Sequence, residues 1–226
     1  MSRESIQTIY VLEKIKEDIV YRKLTNNELL TESYLAGRLG FSRTPIREAV
    51  KILEQQGLLK RENGRIKINF LDHFQSIELE LVRISLEGLA AEYAARRIEE
   101  DGKQRLLSAL DKISNYEGRN LFELSKLNDE FHLSIAIESR LFYLVDILQN
   151  IQTKLKLSQS VKFISPDRRL DSDKEHRLII DLIVAKKAPE AKKMAEDHVR
   201  KTYDLLLRSI PSSEIVVWKN LPVVRP

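Results

Sequence analysis

Arg43, Arg47 and Lys51 recur every fourth residue, a spacing that places all three cations on one stripe of a helix. A guanidinium near the N-terminal end of a helix laid in the major groove of duplex DNA can bond guanine O6 and N7 together. Such a contact is worth ~1–3 kcal/mol of discrimination between bases. Arg43 and Arg47 are therefore read as base-contacting residues, with Lys51 extending the same basic face. Ser42 and Thr44, short hydroxyls at the start of this segment, suit phosphate oxygens that fix register. Farther along, Gly64 and Arg65 follow Asn63 in an Asn-Gly pair. A residue without a side chain permits close approach to a backbone or a minor groove, so both are candidate DNA contacts.

A second constellation lies beyond residue 120. His132, His176 and His198 are three of the four histidines in the chain. Asn128 precedes His132 by one helical turn and shares its face. Three imidazoles and an oxygen donor suit Zn²⁺, Ni²⁺ or Mn²⁺ with coordination positions left for a ligand or water. Spacing alone leaves the plainer alternative open, in which each histidine is a hydrogen-bonded boundary residue. Arg83 and Glu87 are candidate contacts for a carboxylate effector. Their i,i+4 spacing is equally that of a surface ion pair.

The elements that must hold these residues are legible from periodicity. Ile9, Leu12, Ile15 and Ile19 mark an amphipathic helix from about Ile6 to Arg22. Thr31 is placed to cap a second helix, Gly40 to end it, and Ser42 to cap a third, whose Pro45 falls in the first turn, where no carbonyl awaits its missing N–H. After Gly57 the segments around Asn63-Gly64 predict a two-stranded wing with a type I′ turn. From Asp72 onward helical periods dominate, with helices expected near 73–99, 102–117, 120–138, 140–161, 172–187 and 189–208. Asp101, Asp171 or Ser172, and Pro189 are the start signals. The expected fold class is mainly α: a winged helix-turn-helix at 1–70, an all-helical effector and dimerisation domain at 71–210, and a tail at 211–226.

Composition narrows the function classes. With 42% hydrophobic and 32% charged residues in 226, the chain reads as globular. No apolar run approaches a membrane span, and the start lacks a secretory signal, so a cytoplasmic location without membrane attachment is expected. The absence of cysteine excludes disulfides, thiolate zinc sites and cysteine nucleophiles. The net charge of +4 is concentrated at one end: residues 1–70 carry 13 Lys and Arg against 9 Asp and Glu, whereas the remainder is balanced. Excess positive charge confined to the segment with the basic stripe suits a polyanionic partner.

The order Leu35-Ala36, Leu39-Gly40-Phe41-Ser42-Arg43-Thr44-Pro45-Ile46-Arg47-Glu48-Ala49-Val50, then Leu53 to Gly57-Leu58, resembles the DNA-binding signature of the GntR superfamily over about Leu24 to Ile68. That resemblance implies base contacts by Arg43 and Arg47, phosphate contacts by Ser42 and Thr44, and a wing contact by Gly64. Asn128-Asp129-Glu130-Phe131-His132, Glu175-His176 with Ile179-Ile180, and Ala191 with Met194 and His198 resemble the FCD effector domain of FadR-like members over about residues 76–207. In its metal-binding members an Asp and three histidines hold a divalent ion. Here Asn128 stands at the Asp position, and Ser33 stands where many FadR-like members carry Arg. A neutral amide oxygen is a poorer ligand than a carboxylate, and Asp129, projecting elsewhere on the helix, is not expected to replace it.

Together these readings imply a homodimeric, ligand-responsive transcription repressor, not an enzyme. It would bind two-fold related half-sites in double-stranded DNA and answer to a small organic acid bound near the metal. Two alternatives remain: a metal-dependent enzyme built on the same histidines, and a metal-free FadR-like sensor of a larger ligand. The first lacks an accompanying base or nucleophile motif.

Overall fold

The computed structural model describes residues 3–118, 120–156 and 166–208. The chain divides into two compact units, Met1–Leu71 and Asp72–Pro226. The first contains α1 (Arg3–Val20), α2 (Glu32–Leu39), α3 (Arg43–Gln55), β1 (Leu59–Glu62) and β2 (Arg65–Ile68). α1 packs against α3, and the apolar stripes supply the core: Val11, Ile15 and Ile19 meet Ile46, Ala49, Val50 and Leu53, all essentially inaccessible to water. α1 ends at Val20, not at Arg22. Arg22 takes a left-handed backbone with φ 57°, and the N–H groups of Lys23 and Leu24 close onto the Asp18 carbonyl at 2.8 and 3.0 Å.

The turn between α2 and α3 follows from local chemistry. The Thr31 hydroxyl accepts from the Tyr34 N–H at 3.1 Å. Gly40, at φ 72°, closes α2 by donating to the Ala36 carbonyl. Ser42 occupies the N-cap of α3 in extended backbone, yet its side chain makes no capping bond. The hairpin pairs Leu59 with Ile68 and Glu62 with Arg65, and its two turn residues, Asn63 and Gly64, have φ 51° and 75°. Both positive values are what a type I′ turn requires. Ile66 and Ile68 point into the core while Arg65 and Lys67 alternate away from it. Asn26 braces this wing as a strand would: its amide donates to the Ile68 carbonyl at 2.8 Å and accepts from the Ile68 N–H at 2.7 Å.

The second unit is a helical bundle of α4 (His73–Arg97), α5 (Glu100–Ser114), α6 (Leu121–Glu138), α7 (Phe142–Leu155), α8 (Pro166–Val184) and α9 (Ala188–Arg208). Asp72 and Gln75 form a reciprocal capping box that starts α4. α4 runs against α9 along much of its length and also meets α6, α7 and α8, so it is the helix around which the unit is built. Small residues Ala90, Ala91, Ala94 and Ala95 on α4 and Ala188, Ala191 and Ala195 on α9 permit that close approach. Three helix starts differ from those expected. α5 is capped at Glu99, so Asp101 lies inside it; α8 begins at Pro166, so Asp171 and Ser172 are interior; and α9 begins one residue before Pro189. Proline suits a first helical position, which explains the early start of α8. The tail at 211–226 and the end of the helix expected at 140–161 lie outside the described residues.

Candidate nucleic-acid interface and histidine centre

α3 has two dissimilar faces. Pro45, Ile46, Ala49, Val50 and Leu53 are buried, whereas Arg43, Thr44, Arg47, Glu48 and Lys51 are exposed. Among the described residues no ion pair or side-chain hydrogen bond engages Arg43, Arg47, Lys51 or Arg65. Ser42 presents an exposed hydroxyl at the head of α3, and Gly64 sits at the exposed wing tip. The hairpin's other arginine behaves differently: Arg61 reaches Glu32 at 2.7 Å and Glu54 at 2.8 Å, tying β1 to α2 and α3. Arg38 is likewise held internally, by the Lys23 carbonyl at 3.0 Å and by Asp18. Charge count alone could not separate these braces from the cations left facing water.

In the second unit three helices bring together the histidines predicted from sequence. His132 comes from α6, His176 from α8 and His198 from α9; all three are buried, and each offers a ring nitrogen within 4.8 Å of the others. Phe131 supports the group from beneath, its ring centroid 4.3 Å from that of His176. The Nε2 atoms of His176 and His198 lie 3.2 Å apart. His132 Nε2 is buried without a hydrogen-bond partner among the described residues. An orphaned buried acceptor is costly, so this arrangement calls for an occupant. A separation of 3.2 Å is also what two imidazoles bound ~2.1 Å from one ion at roughly right angles would show. The residues present therefore fit a divalent cation, with His132, His176 and His198 as its nitrogen ligands.

Beside the histidines opens a cavity of about 190 Å³ bordered by Arg83, Asn128, Asp129, His132 and His198, with Ile113, Leu124 and Leu155 on its apolar side. Asn128 lies on the same cavity wall as His132 and His198. Asp129, expected to project elsewhere, also borders the cavity, because adjacent helix residues can both flank a wide opening. It is held by Lys156 at 2.8 Å.

The surface alternative for Arg83 and Glu87 is overturned. They are 8% and 1% exposed. Glu87 takes a hydrogen bond from Arg83 Nε at 3.1 Å through one oxygen and contacts His132 Nδ1 at 3.2 Å through the other. Arg83 borders the cavity, but Glu87 stands behind His132 and is not among the residues lining it. Burial opposes the charge on Glu87, yet His132 and Arg83 outweigh it and bring its pKa down to about 2. Glu80 contrasts with it: burial pushes its carboxyl up, and Arg83, 3.5 Å away, only partly offsets that. For Arg83 burial works against the charge, but Glu80 and Glu87 hold its pKa above the ordinary value. Glu175, for which sequence suggested no role, accepts from His198 Nδ1 at 2.7 Å and pairs with Lys201 at 2.5 Å. Glu80 was missed as well, since nothing in a heptad pattern reveals that a Glu is buried.

Comparison with known proteins accords with both halves. Residues 8–65 match the family described as "Bacterial regulatory proteins, gntR family", and residues 78–201 match the FCD domain. The chain is 28% identical over 189 residues to the HTH-type transcriptional regulator YdhC of Bacillus subtilis, covering 82% of this chain and 84% of that one. It is 27% identical to the Nta operon transcriptional regulator of Aminobacter aminovorans, over 81% and 86% of the two chains. Against the Glc operon transcriptional activator of Escherichia coli it is 26% identical over 76% and 77%. Its fold is that of Escherichia coli McbR/YncC, with a TM-score of 0.75 at 20% identity over 92% of this chain and 99% of that one. These families and relatives are transcription regulators, so the enzyme reading of the histidines is set aside. The chain belongs to the GntR family of bacterial transcription regulators, with an FCD domain as its second part.

Proposed function

We propose that this regulator is a cytoplasmic homodimeric repressor whose α3 enters the major groove of each half of a two-fold related operator. A small organic acid, bound beside a divalent ion in the FCD domain, sets its affinity for DNA. The observation that carries this reading is the outward, uncompensated pair of guanidinium groups on Arg43 and Arg47. No ion pair or side-chain hydrogen bond among the described residues engages either, so both charges remain for a polyanion. Lys51 and Arg65 add phosphate contacts, Ser42 and Thr44 set register, and Gly64 lets the wing tip approach closely. Repression needs only occupancy of a site that overlaps a promoter. The operator's position fixes the sign of regulation, and one relative is named an activator.

The cavity supports an organic acid through an electrostatic argument. Arg83 and Lys156 border it, but each already faces a carboxylate. Arg169 also borders it, its guanidinium donating to the Tyr116 carbonyl, and an ion on the histidines, with Zn²⁺, Ni²⁺ or Mn²⁺ suited to three imidazoles and the Asn128 amide, would add further positive charge for a ligand. When bound, that ion would supply a Lewis-acidic anchor for a carboxylate. Asn128 and Arg83 would orient the remainder, and Leu124 and Leu155 would exclude water. Preference of the acid for one spacing of the two reading heads would shift DNA affinity by its differential binding energy.

The test is selection of preferred duplexes from a random-sequence DNA library by the purified chain, followed by mobility shift with Arg43→Ala and Arg47→Ala. Loss of preference in both variants is expected; undiminished sequence-specific binding in both would sink the reading. Metal content after chelator-free purification, and thermal shift with a panel of organic acids with and without zinc, test the sensor half.

A further inference from the structure

Resting on the reading of the histidines as a divalent-ion site, we propose that Glu87 and Glu175 are positioning residues. They hold the Nδ1 edges of His132 and His198 so that both Nε2 lone pairs face the ion.

An imidazole binds a metal only through a nitrogen that carries no proton, and which nitrogen that is depends on what the other one bonds. A carboxylate accepts and does not donate. Glu87 Oε2, 3.2 Å from His132 Nδ1, therefore places the proton on Nδ1. The Nε2 it leaves behind is the buried atom that lacks a hydrogen-bond partner. Glu175 Oε2 does the same for His198 at 2.7 Å, and His198 Nε2 turns toward His176 Nε2.

Each carboxylate is anchored through its second oxygen: Glu87 by Arg83 at 3.1 Å, Glu175 by Lys201 at 2.5 Å. The order cation, carboxylate, imidazole thus occurs twice. One copy runs from α4 to α6 and the other from α8 to α9, on unrelated stretches of sequence. Packing alone gives no reason for two separate helix pairs to orient imidazoles in the same way. The two carboxylates also bring negative charge behind a ligand set that is itself neutral, which raises ligand basicity and offsets the charge of the ion. Arg83 accordingly serves the centre from behind Glu87, through a bond already made.

The experiment uses the full chain stripped of metal by chelation. Zn²⁺ affinity is measured by competition with an indicator dye, and Co²⁺ loading is followed by visible absorption, for wild type, Glu87→Gln, Glu175→Gln and Glu92→Gln. Glu92 lies on the same helix as Glu87 but pairs with Arg96 and Lys192, away from the histidines. Affinity is expected to fall ~10–100-fold in the first two variants, with an altered Co²⁺ spectrum, and to stay unchanged in the third. Glu175→Ala should bind more weakly than Glu175→Gln, because the amide oxygen still accepts from Nδ1. Circular dichroism checks folding; should Glu87→Gln unfold beside buried Arg83, Glu175→Gln, whose partner Lys201 is half exposed, carries the test. Wild-type Zn²⁺ affinity and an unchanged Co²⁺ spectrum in the folded Gln variants would overturn the assignment. A wild-type chain that takes up neither ion would instead bring down the ion in the proposed function.

Discussion

Two groups of arginines in this protein differ in what surrounds their charge. Arg43 and Arg47 stand in water on α3 without an internal partner, while Arg83 is buried in α4 between Glu80 and Glu87. A cation left in solvent costs the fold nothing and remains available to an external anion. One inside must be neutralised by the protein itself. The contrast separates charge left outward from charge compensated inward, where Arg83 faces both Glu80 and Glu87.

The largest expected effect comes from removing the inner compensation. Glu87→Ala leaves Arg83 and His132 buried without their shared acceptor, and unfolding in urea should show a loss of ~3–5 kcal/mol. If the loss is under ~1 kcal/mol, water has replaced the carboxylate and the inner charge is not so enclosed.

Acid sharpens the same point. Because the folded state holds Glu87 at about 2, against an ordinary value near 4.5, its stabilisation is present above pH 4.5 and is lost as pH falls from there toward 2. The difference amounts to about 3 kcal/mol. The stability gap between wild type and Glu87→Gln should therefore close over that interval. Glu80 has the opposite sign: raised in the folded state, it stabilises below 4.5 and that benefit disappears as pH rises through its folded value. Glu80→Gln should then be neutral or stabilising at pH 7, and a loss comparable to that of Glu87→Gln would refute the distinction between the two carboxyls.

On the outward side the effects are smaller. At Gly64 a Cβ would meet nothing within 4 Å, so only its φ of 75° resists substitution. Gly64→Ala should cost ~1–2 kcal/mol of stability, and the folded variant should also lose DNA affinity if the wing tip lies close to DNA. Unchanged affinity of the folded variant would place the tip away from the duplex. The smallest effect is expected at Lys51. Lys51→Ala should weaken all duplexes alike and reduce the slope of log affinity against log salt by about one, measured by fluorescence anisotropy. A change in sequence preference would make Lys51 a base reader.

The outward half was largely legible because its signals are local. Thr31, Gly40, Pro45 and Asn63-Gly64 each act within a few residues on their own backbone, and the stripes on α3 follow from its period. The histidines were legible as a group by residue type, but their partners were not. Glu87 and His132 are 45 residues apart, Glu175 and His198 are 23 apart, and Asn26 meets Ile68 across 42. No local preference encodes such pairs. Arg83 and Glu87 show the limit most clearly, since i,i+4 spacing is the same on an exposed face as on a buried one. Arg61 and Arg65 show it at the surface: one is tied to two glutamates of other elements, and the other faces water.

By itself the sequence determined where helices turn, which faces are apolar, where positive charge accumulates and which residue types could ligate an ion. Those properties depend on neighbours along the chain. Only the tertiary structure decided which charges are compensated inside and which nitrogen of each histidine faces the centre, because both depend on distances between segments that meet only once the bundle has closed.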